Sequence, residues 1–338
     1  MQLEHNKRIQ HLNTMAIDVQ AENFLSVTSI DQLQQFLQQE HLPQPIHIIG
    51  GGSNIVYTQD IPGTLLSIDI KGITESHVSE NEVHITAAAG EVWHDLVDYA
   101  LDRNYGGIEN LTLIPGKTGA APMQNIGAYG VEIKDVLTSV TTVHRATGQQ
   151  HLFTNEQCQL GYRESIFKNQ LRDQHIITSI TIALTKHTHT LHLEYGAIHQ
   201  ELQKHHIHNP GISDVSHAVA TIRRSKLPDP KHIPNCGSFF KNPIIPLTQL
   251  QPILEKYADA PHFPIGAQYA KIPAAWLIQQ AGWKGFRNQT VGVHDLQPLV
   301  LINHNHGTGV HIYQLSEDIK NSVAHQFGII LEREVNII

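Results

Sequence analysis

Three successive glycines, Gly50-Gly51-Gly52, follow directly on the apolar run Ile46 to Ile49, and Ser53-Asn54 leads from them into a second apolar run, Ile55-Val56-Tyr57. Without side chains, glycine amides can close around an anion, so the triplet reads as a phosphate-binding nest, with a tight turn as the alternative. A dinucleotide fingerprint needs its glycines to open a helix, whereas these lead into a strand. That excludes a Rossmann site here.

A second glycine segment, Ile108 to Gly130 (IENLTLIPGKTGAAPMQNIGAYG), is too rich in Gly, Pro and small residues for regular structure and too apolar for a disordered linker. It reads as a packed functional loop. Its Gly116-Lys117-Thr118 invites comparison with a P-loop, but the glycine required at position 111 is Leu111, and Pro115 removes a donor. A flat, polar cofactor could instead lie against its backbone.

Around these loops the periodicities alternate between helix and strand. Ser29 caps a helix with Leu33, Phe36 and Leu37 at helical spacing, and Ile46 to Ile49, Ile55 to Tyr57, Thr64 to Ile70 and Val83 to Ala88 read as strands. Glu91 to Arg103 predicts a helix burying Val92, Leu96, Val97, Ala100 and Leu101. Beyond the long loop, Val136 to Val143 and Ile176 to Leu184 are β-branched strands flanking Leu160 to Lys168. Pro273 to Gly282 predicts a short helix, Leu299 to Asn303 a strand, Ile312 to Phe327 a helix stopped by Gly328, and Ile329 to Ile338 a last strand. The fold class is α+β, and 338 residues suffice for two or three domains.

Charge narrows the partners. With 23 Lys+Arg against 31 Asp+Glu the net charge is −8, which disfavours nucleic acid and anionic membrane, since both recruit basic surfaces. The N-terminal MQLEHNKRIQ lacks a signal peptide's apolar stretch, and no run approaches a membrane span, so a cytoplasmic protein is expected. Cys158 and Cys236 form no CxxC pair, which speaks against a disulfide framework or a Cys-based zinc site. The 25 histidines, clustered at His187/His189/His192, His205/His206/His208 and His304/His306, lack ordered carboxylate or cysteine partners, and no metal site is expected. A histidine-rich metal-binding protein is the alternative of a different class.

Two further segments could carry chemistry. Ile222 to Lys231 (IRRSKLPDPK) is a basic cluster in an acidic chain, readable as a solvated face or as a diphosphate site held by rigid prolines. Ser238, in Asn235 to Pro243 (NCGSFFKNP), lies outside any G-x-S-x-G elbow and so is no hydrolase nucleophile.

Taken together, LNTMAID (Leu12 to Asp18), GGGSN (50 to 54), the 108 to 130 loop, GYRESIFK (161 to 168), RRSKLPDPK (223 to 231), CGSFFKNP (236 to 243), AGWKG (281 to 285), VGVHDLQPLVLIN (291 to 303) and LEREV (331 to 335) resemble the UDP-N-acetylenolpyruvoylglucosamine reductase family, in the family's order along the whole chain. The segment Leu193-Glu194-Tyr195-Gly196 is similar to the tyrosine loop of its longer type. The resemblance implies a two-subdomain FAD-binding module of the vanillyl-alcohol-oxidase (PCMH) kind plus a third α+β substrate-binding domain. The expected parts are 1–70, 71–227 completed by the strand 329–338, and 228–328. FAD contacts are expected from Gly51, Gly52, Ser53, Asn54, Gly116, Gly119, Ala120, Gln124, Asn125 and Gly127.

By the same resemblance, Arg163, Ser238 and Glu334 are catalytic, and Tyr162, Tyr195, Arg223, Lys226, Asn242 and Gln297 bind the UDP-sugar. Hydride would pass from NADPH by way of FAD to the enolpyruvyl double bond in ping-pong order, with UDP-sugar and NADPH using one cleft of a monomer. Arg163 would hold the substrate carboxylate, Glu334 would donate a hydrogen bond to the developing enolate, and Ser238 would protonate the carbanionic carbon. A flavin-dependent oxidase of the same fold is the nearer alternative. The chain departs from the family pattern at Cys236, in place of a small residue, and at Arg333, where proline is common.

Overall fold

The computed structural model describes residues 3–338; Met1 and Gln2, where the first expected subdomain begins, lie outside the described residues. Contacts divide the chain into two compact units, Met1–Lys7, Ala21–Gly51 and Pro62–Ser225 in the first, and Arg8–Gln20, Gly52–Ile61 and Lys226–Ile338 in the second.

The first unit is built on two sheets. The larger is antiparallel throughout, in the order Gln150–Thr154, Leu137–His144, His175–Thr185, Glu82–Ala88, Ile73–His77. In its central strand Thr178, Ile180, Ile182 and Leu184 alternate inward, the two-residue period of a pleated strand with one face on the core. Cross-strand register aligns Phe153, Val140, Ile180, Ala87 and Ile73 in one row, so the hydrophobic pattern of five separate segments becomes one continuous layer. The smaller sheet runs Glu4–Arg8, Gln20–Val27, Ile61–Ile68, Ile46–Ile49, and its last pair is parallel, with Ile46 opposite Thr64.

Two helices close this core. In Ile30–Leu37 the Ser29 side chain accepts from the Gln32 amide, and Leu33, Phe36 and Leu37 are buried as the spacing predicts. The helix expected over Glu91 to Arg103 is Trp93–Asp102, and its buried face is Trp93, Leu96, Val97 and Ala100. Val92 is 39% exposed because it precedes the first helical turn and bridges Lys117 instead. Trp93 carries the larger load: a fully buried large apolar side chain contributes roughly 1.5–3 kcal/mol, and its indole N–H is satisfied by the Leu111 carbonyl at 3.0 Å.

The second unit has two three-stranded antiparallel sheets, Asn235–Ser238, Val300–Asn303, Val291–Val293, and Ile244–Pro246, Tyr269–Lys271, Phe263–Ile265. The helix Gly309–Phe327 buries Ile312, Leu315, Ile319, Val323 and Phe327 and ends at Gly328 in the left-handed region, the stop expected from sequence. Asn303 staples the LNTMAID segment into this unit by donating to the Met15 carbonyl at 3.0 Å.

The last strand is shorter than expected. Of Ile329 to Ile338 only Asn336–Ile337 is a strand, parallel to Ile55–Val56, while Glu332 to Glu334 turns aside to meet Phe239 to Lys241. The terminal Ile338 carbonyl accepts from the Thr58 amide at 2.6 Å and the Thr58 hydroxyl at 2.8 Å. Both cysteines are free and buried, and burial pushes the Cys158 thiol up to about 12.

Candidate functional site

Backbone geometry at the glycine triplet explains its composition. A Cβ on Gly51 would lie 2.7 Å from the Gly116 Cα, so the two glycine segments of the first unit meet backbone to backbone. Gly52 has φ +61, and a Cβ there would lie 1.9 Å from the Leu12 carbonyl oxygen in the second unit. Lys117 is engaged by Asp69, at 2.5 Å, and by the Ile68 carbonyl, at 3.2 Å, which leaves it no P-loop role. Burial alone would raise the Asp69 carboxyl, but hydrogen bonds from Lys117, Ser26 and Ser67 and the charge of Lys117 outweigh it and hold the carboxyl below its usual range.

The loop expected from 108 to 130 is a series of single turns, Glu109–Leu111, Thr118–Ala120 and Pro122–Gln124. Its amides are less available than the composition implies. Gly119 N–H donates to the Ala89 carbonyl and Ala120 N–H to the Lys117 carbonyl, each at 3.0 Å, so these two can form a wall but not donate from the backbone. Asn125 is a staple within this region through its side chain. It is fully buried with φ 45; its side chain donates to Glu132 and the Gly161 carbonyl, both at 2.9 Å, and accepts from the Lys134 amide at 3.1 Å.

Arg163 rests on the same loop. Its guanidinium donates to the Asn125 carbonyl at 3.3 Å and the Gly127 carbonyl at 2.9 Å and stands 5.4 Å from the Tyr162 ring. The Arg163 backbone has φ 57, and the Lys168 ammonium donates to its carbonyl at 3.2 Å. A non-glycine residue in the left-handed region is strained, and such strain collects where a side chain must be aimed.

Near the end of Ile212–Lys226 lies Arg223, whose Nε is buried with no hydrogen-bond partner. Burial disfavours its charge, and the Tyr129 phenol beside it only partly offsets this. Tyr129 packs edge-on against Tyr195, ring centroids 5.2 Å apart, and Tyr195 is 54% exposed. Tyr129 was not singled out from sequence, although it stands in the Gly127-Ala128-Tyr129-Gly130 motif; its closeness to Arg223 and Tyr195 is long-range information. Lys226 is exposed and ends the helix that carries Arg223, three residues before it, while Pro228 and Pro230 follow beyond the helix.

In the second unit the structure brings Ser238 and Glu334 onto paired segments. Ser238 closes the strand Asn235–Ser238 and is exposed, between Gly237 and the buried Phe239 and Phe240. Glu334 N–H donates to the Phe239 carbonyl at 2.9 Å, Lys241 N–H donates to the Glu332 carbonyl at 2.9 Å, and Phe240 bridges Arg333. The acid is therefore opposite the residue that follows the serine. Asn54 Nδ2 donates to the Glu334 carbonyl at 3.2 Å, tying the glycine loop's last residue to the same segment. Asn242 uses its side-chain oxygen to accept from Ala274 N–H at 2.9 Å, at the start of the helix Ala274–Gln280. Gln297 occupies the hairpin between Val291–Val293 and Val300–Asn303, its carbonyl accepting from Val300 N–H at 2.9 Å. Among the described residues no group of three His, Cys, Asp or Glu could hold a metal ion, and no helix is long and apolar enough to cross a membrane.

Family models match in two places: an FAD binding domain over residues 21–153, and a UDP-N-acetylenolpyruvoylglucosamine reductase C-terminal domain over residues 229–338. Proteins named UDP-N-acetylenolpyruvoylglucosamine reductase are similar from end to end. Those of Flavobacterium johnsoniae and Amoebophilus asiaticus are 44% identical with all of both chains covered, and that of Pseudomonas aeruginosa is 40% identical over 100% of this chain and 99% of its own. The crystal structure of a UDP-N-acetylenolpyruvylglucosamine reductase from Thermus caldophilus shares the fold, with TM-score 0.69 at 19% identity over 100% of this chain and 99% of that one.

Proposed function

The chain belongs to the UDP-N-acetylenolpyruvoylglucosamine reductase family of FAD-dependent oxidoreductases, and from that premise we propose that it reduces UDP-N-acetylenolpyruvoylglucosamine to UDP-N-acetylmuramate for peptidoglycan synthesis in the cytoplasm. NADPH is the hydride donor, it shares one cleft with the UDP-sugar, and the protein acts as a monomer. The observation that carries the chemistry is the pairing of Phe239 with Glu334, which sets a serine hydroxyl and a carboxyl on adjacent segments of one unit.

The residues fit FAD. Gly51 and Gly116 leave no room for a side chain between their backbones, so a flat anionic group can lie against bare peptide there. Gly51, Gly52, Ser53, Asn54, Gly116, Gln124 and Gly127 hold it, with Gly119, Ala120 and Asn125 as the wall and staple behind them. Bound FAD supplies hydride transfer. The parts 1–70 and 71–227 form its site, and 228–328 takes the UDP-sugar.

Hydride arriving at the terminal enolpyruvyl carbon leaves negative charge on the neighbouring carbon and its carboxylate. Arg163, aimed by the two carbonyls that grip it, holds the carboxylate; a lost donor of this kind costs roughly 3 kcal/mol in the transition state. Glu334 in its protonated form donates to the enolate oxygen, and the Ser238 hydroxyl gives its proton to the carbanionic carbon. Tyr195, Lys226 and Arg223 bind the diphosphate; Tyr162, Asn242 and Gln297 line the remaining UDP-sugar site.

The test separates the two half-reactions. The purified protein should be yellow, bleach with NADPH under anaerobic conditions, and recover colour with the enolpyruvyl substrate. Ser238→Ala should keep the bleaching and slow the recovery by about 10² or more. No bleaching by NADPH, with oxygen alone reoxidising the flavin during turnover of an alcohol, would sink the reductase reading in favour of an oxidase. Equal slowing of both steps would remove Ser238 from its role.

A further inference from the structure

We propose that Arg333 is a positioning residue for Glu334: its guanidinium locks the Glu332 to Glu334 segment onto the helix Gly309–Phe327 and so sets the point from which the Glu334 carboxyl reaches. This rests on the role given to Glu334 above.

On the strand side the segment is held by one bridge, Phe240 with Arg333, with flanking hydrogen bonds at 2.9 Å from Glu334 to Phe239 and from Lys241 to Glu332, by the Lys241–Glu332 ion pair at 2.5 Å, and by the Asn54 bond to the Glu334 carbonyl at 3.2 Å. Arg333 supplies the hold on the helix side. Its Nε donates to the Ser316 hydroxyl at 2.8 Å, a terminal nitrogen donates to the Glu317 carboxylate, and the guanidinium lies 4.7 Å from the Tyr313 ring. Positions 313, 316 and 317 share one helix face, so the three contacts converge on one planar group.

The partners are themselves fixed. Ser316 is fully buried and donates to the Tyr313 carbonyl at 2.6 Å, which orients its oxygen to accept from Arg333. The Glu317 carboxyl is held below its ordinary range, first by the Arg333 hydrogen bond and then by that of Lys320. With its side chain only 16% exposed, the Arg333 charge has a satisfied site rather than a solvated one. Neighbouring side chains on extended backbone point to opposite faces, so a guanidinium committed to the helix turns Glu334 away from it.

In this bridge the hydrogen bonds come from the residues flanking Phe240 and Arg333, so the Arg333 N–H is not part of the ladder. Proline is therefore tolerated at 333 and would fix the same backbone through its ring. A side-chain clamp and a ring are two ways to hold one segment.

Arg333→Ala, Arg333→Lys, Arg333→Pro and Glu317→Ala test this. In the protein alone, urea unfolding should show Arg333→Ala and Glu317→Ala non-additive by about tenfold in the unfolding constant; additivity overturns the clamp. In rapid mixing, Arg333→Ala should slow reoxidation by the enolpyruvyl substrate about tenfold, with FAD content, NADPH reduction and KM little changed. Lysine should restore part of the rate and proline most of it. Unchanged reoxidation, equal slowing of both half-reactions, or a rise in KM alone would overturn the proposal. A crystal structure of Arg333→Ala with Glu334 in its original place does so whatever the turnover. Absence of turnover in the unsubstituted protein would instead remove the functional reading, while the unfolding cycle and that crystal structure still decide the clamp.

Discussion

Asn54 and Glu334, 280 residues apart in sequence, are joined by a hydrogen bond of 3.2 Å from the Asn54 side-chain amide to the Glu334 carbonyl. The Asn54 carbonyl in turn accepts from the Asn336 amide and side chain, both at 3.1 Å. The last residue of the glycine loop is thus a splice for the C-terminal segment, and that loop and the Glu334 segment share a support.

Asn54→Asp replaces that donor with a carboxylate facing a carbonyl oxygen. It should destabilise the protein by about 1–3 kcal/mol, more than Asn54→Ala, because it adds repulsion to a lost bond. Urea midpoints measure the difference. The enolpyruvyl half-reaction should slow in both variants; a full rate with a lowered midpoint would confine Asn54 to stability.

Gly51→Ala places a methyl 2.7 Å from the Gly116 Cα, with backbone on both sides and no flexible side chain to give way. The two segments must part. The expected result is a folded protein purified without yellow colour, its FAD affinity reduced about a hundredfold or more, which corresponds to about 2.7 kcal/mol of lost complementarity. FAD titration by fluorescence quenching checks it, and normal loading would mean that the close approach is dispensable.

Elements with local signals were legible in the sequence. Ser29 with Leu33, Phe36 and Leu37 carries its own cap and stripe, and Gly328 its own stop. The helix Ile212–Lys226 escaped because its buried face includes Ser216, Ala218 and Ala220, whose small or polar side chains blur the stripe, and Ser216 bonds to Thr112 at 2.7 Å from 104 residues away. That the Asn125 side-chain amide is a staple is carried by its contact to Gly161, 36 residues on, which no local pattern signals. Arg333 looked like a mere departure from pattern until its three partners on the helix came into view.

Arg223→Met separates binding from stability. The buried, unpartnered Nε is a cost to the protein without substrate, so methionine, which keeps the apolar stem, should raise the thermal midpoint by a few degrees. If Arg223 binds the diphosphate as proposed, the same change removes a charge-assisted contact and should raise KM for the UDP-sugar about tenfold with kcat nearly unchanged. A lower midpoint, or a fall in kcat alone, would show that Arg223 serves the fold or the chemical step instead.

The histidine excess bears on stability at His175. His175 packs edge-on against His144, His151 and Phe153, with ring centroids 5.0, 5.2 and 5.1 Å away, and its Nδ1 meets the Thr142 hydroxyl at 2.9 Å. Burial first, and then the two neighbouring imidazoles, lower its pKa from 6.5 to about 4. Between those values the unfolded chain binds the proton more readily than the folded one, so stability falls as pH drops from 6.5 to 4 and levels off below. Discounted for the ring's partial access to solvent, the loss is about 1–2 kcal/mol. His175→Phe, which keeps the packing against Phe153, should flatten that part of the pH profile in urea unfolding while leaving acid unfolding by the carboxylates in place. An unchanged slope between pH 6.5 and 4 would mean that the proton is taken up elsewhere.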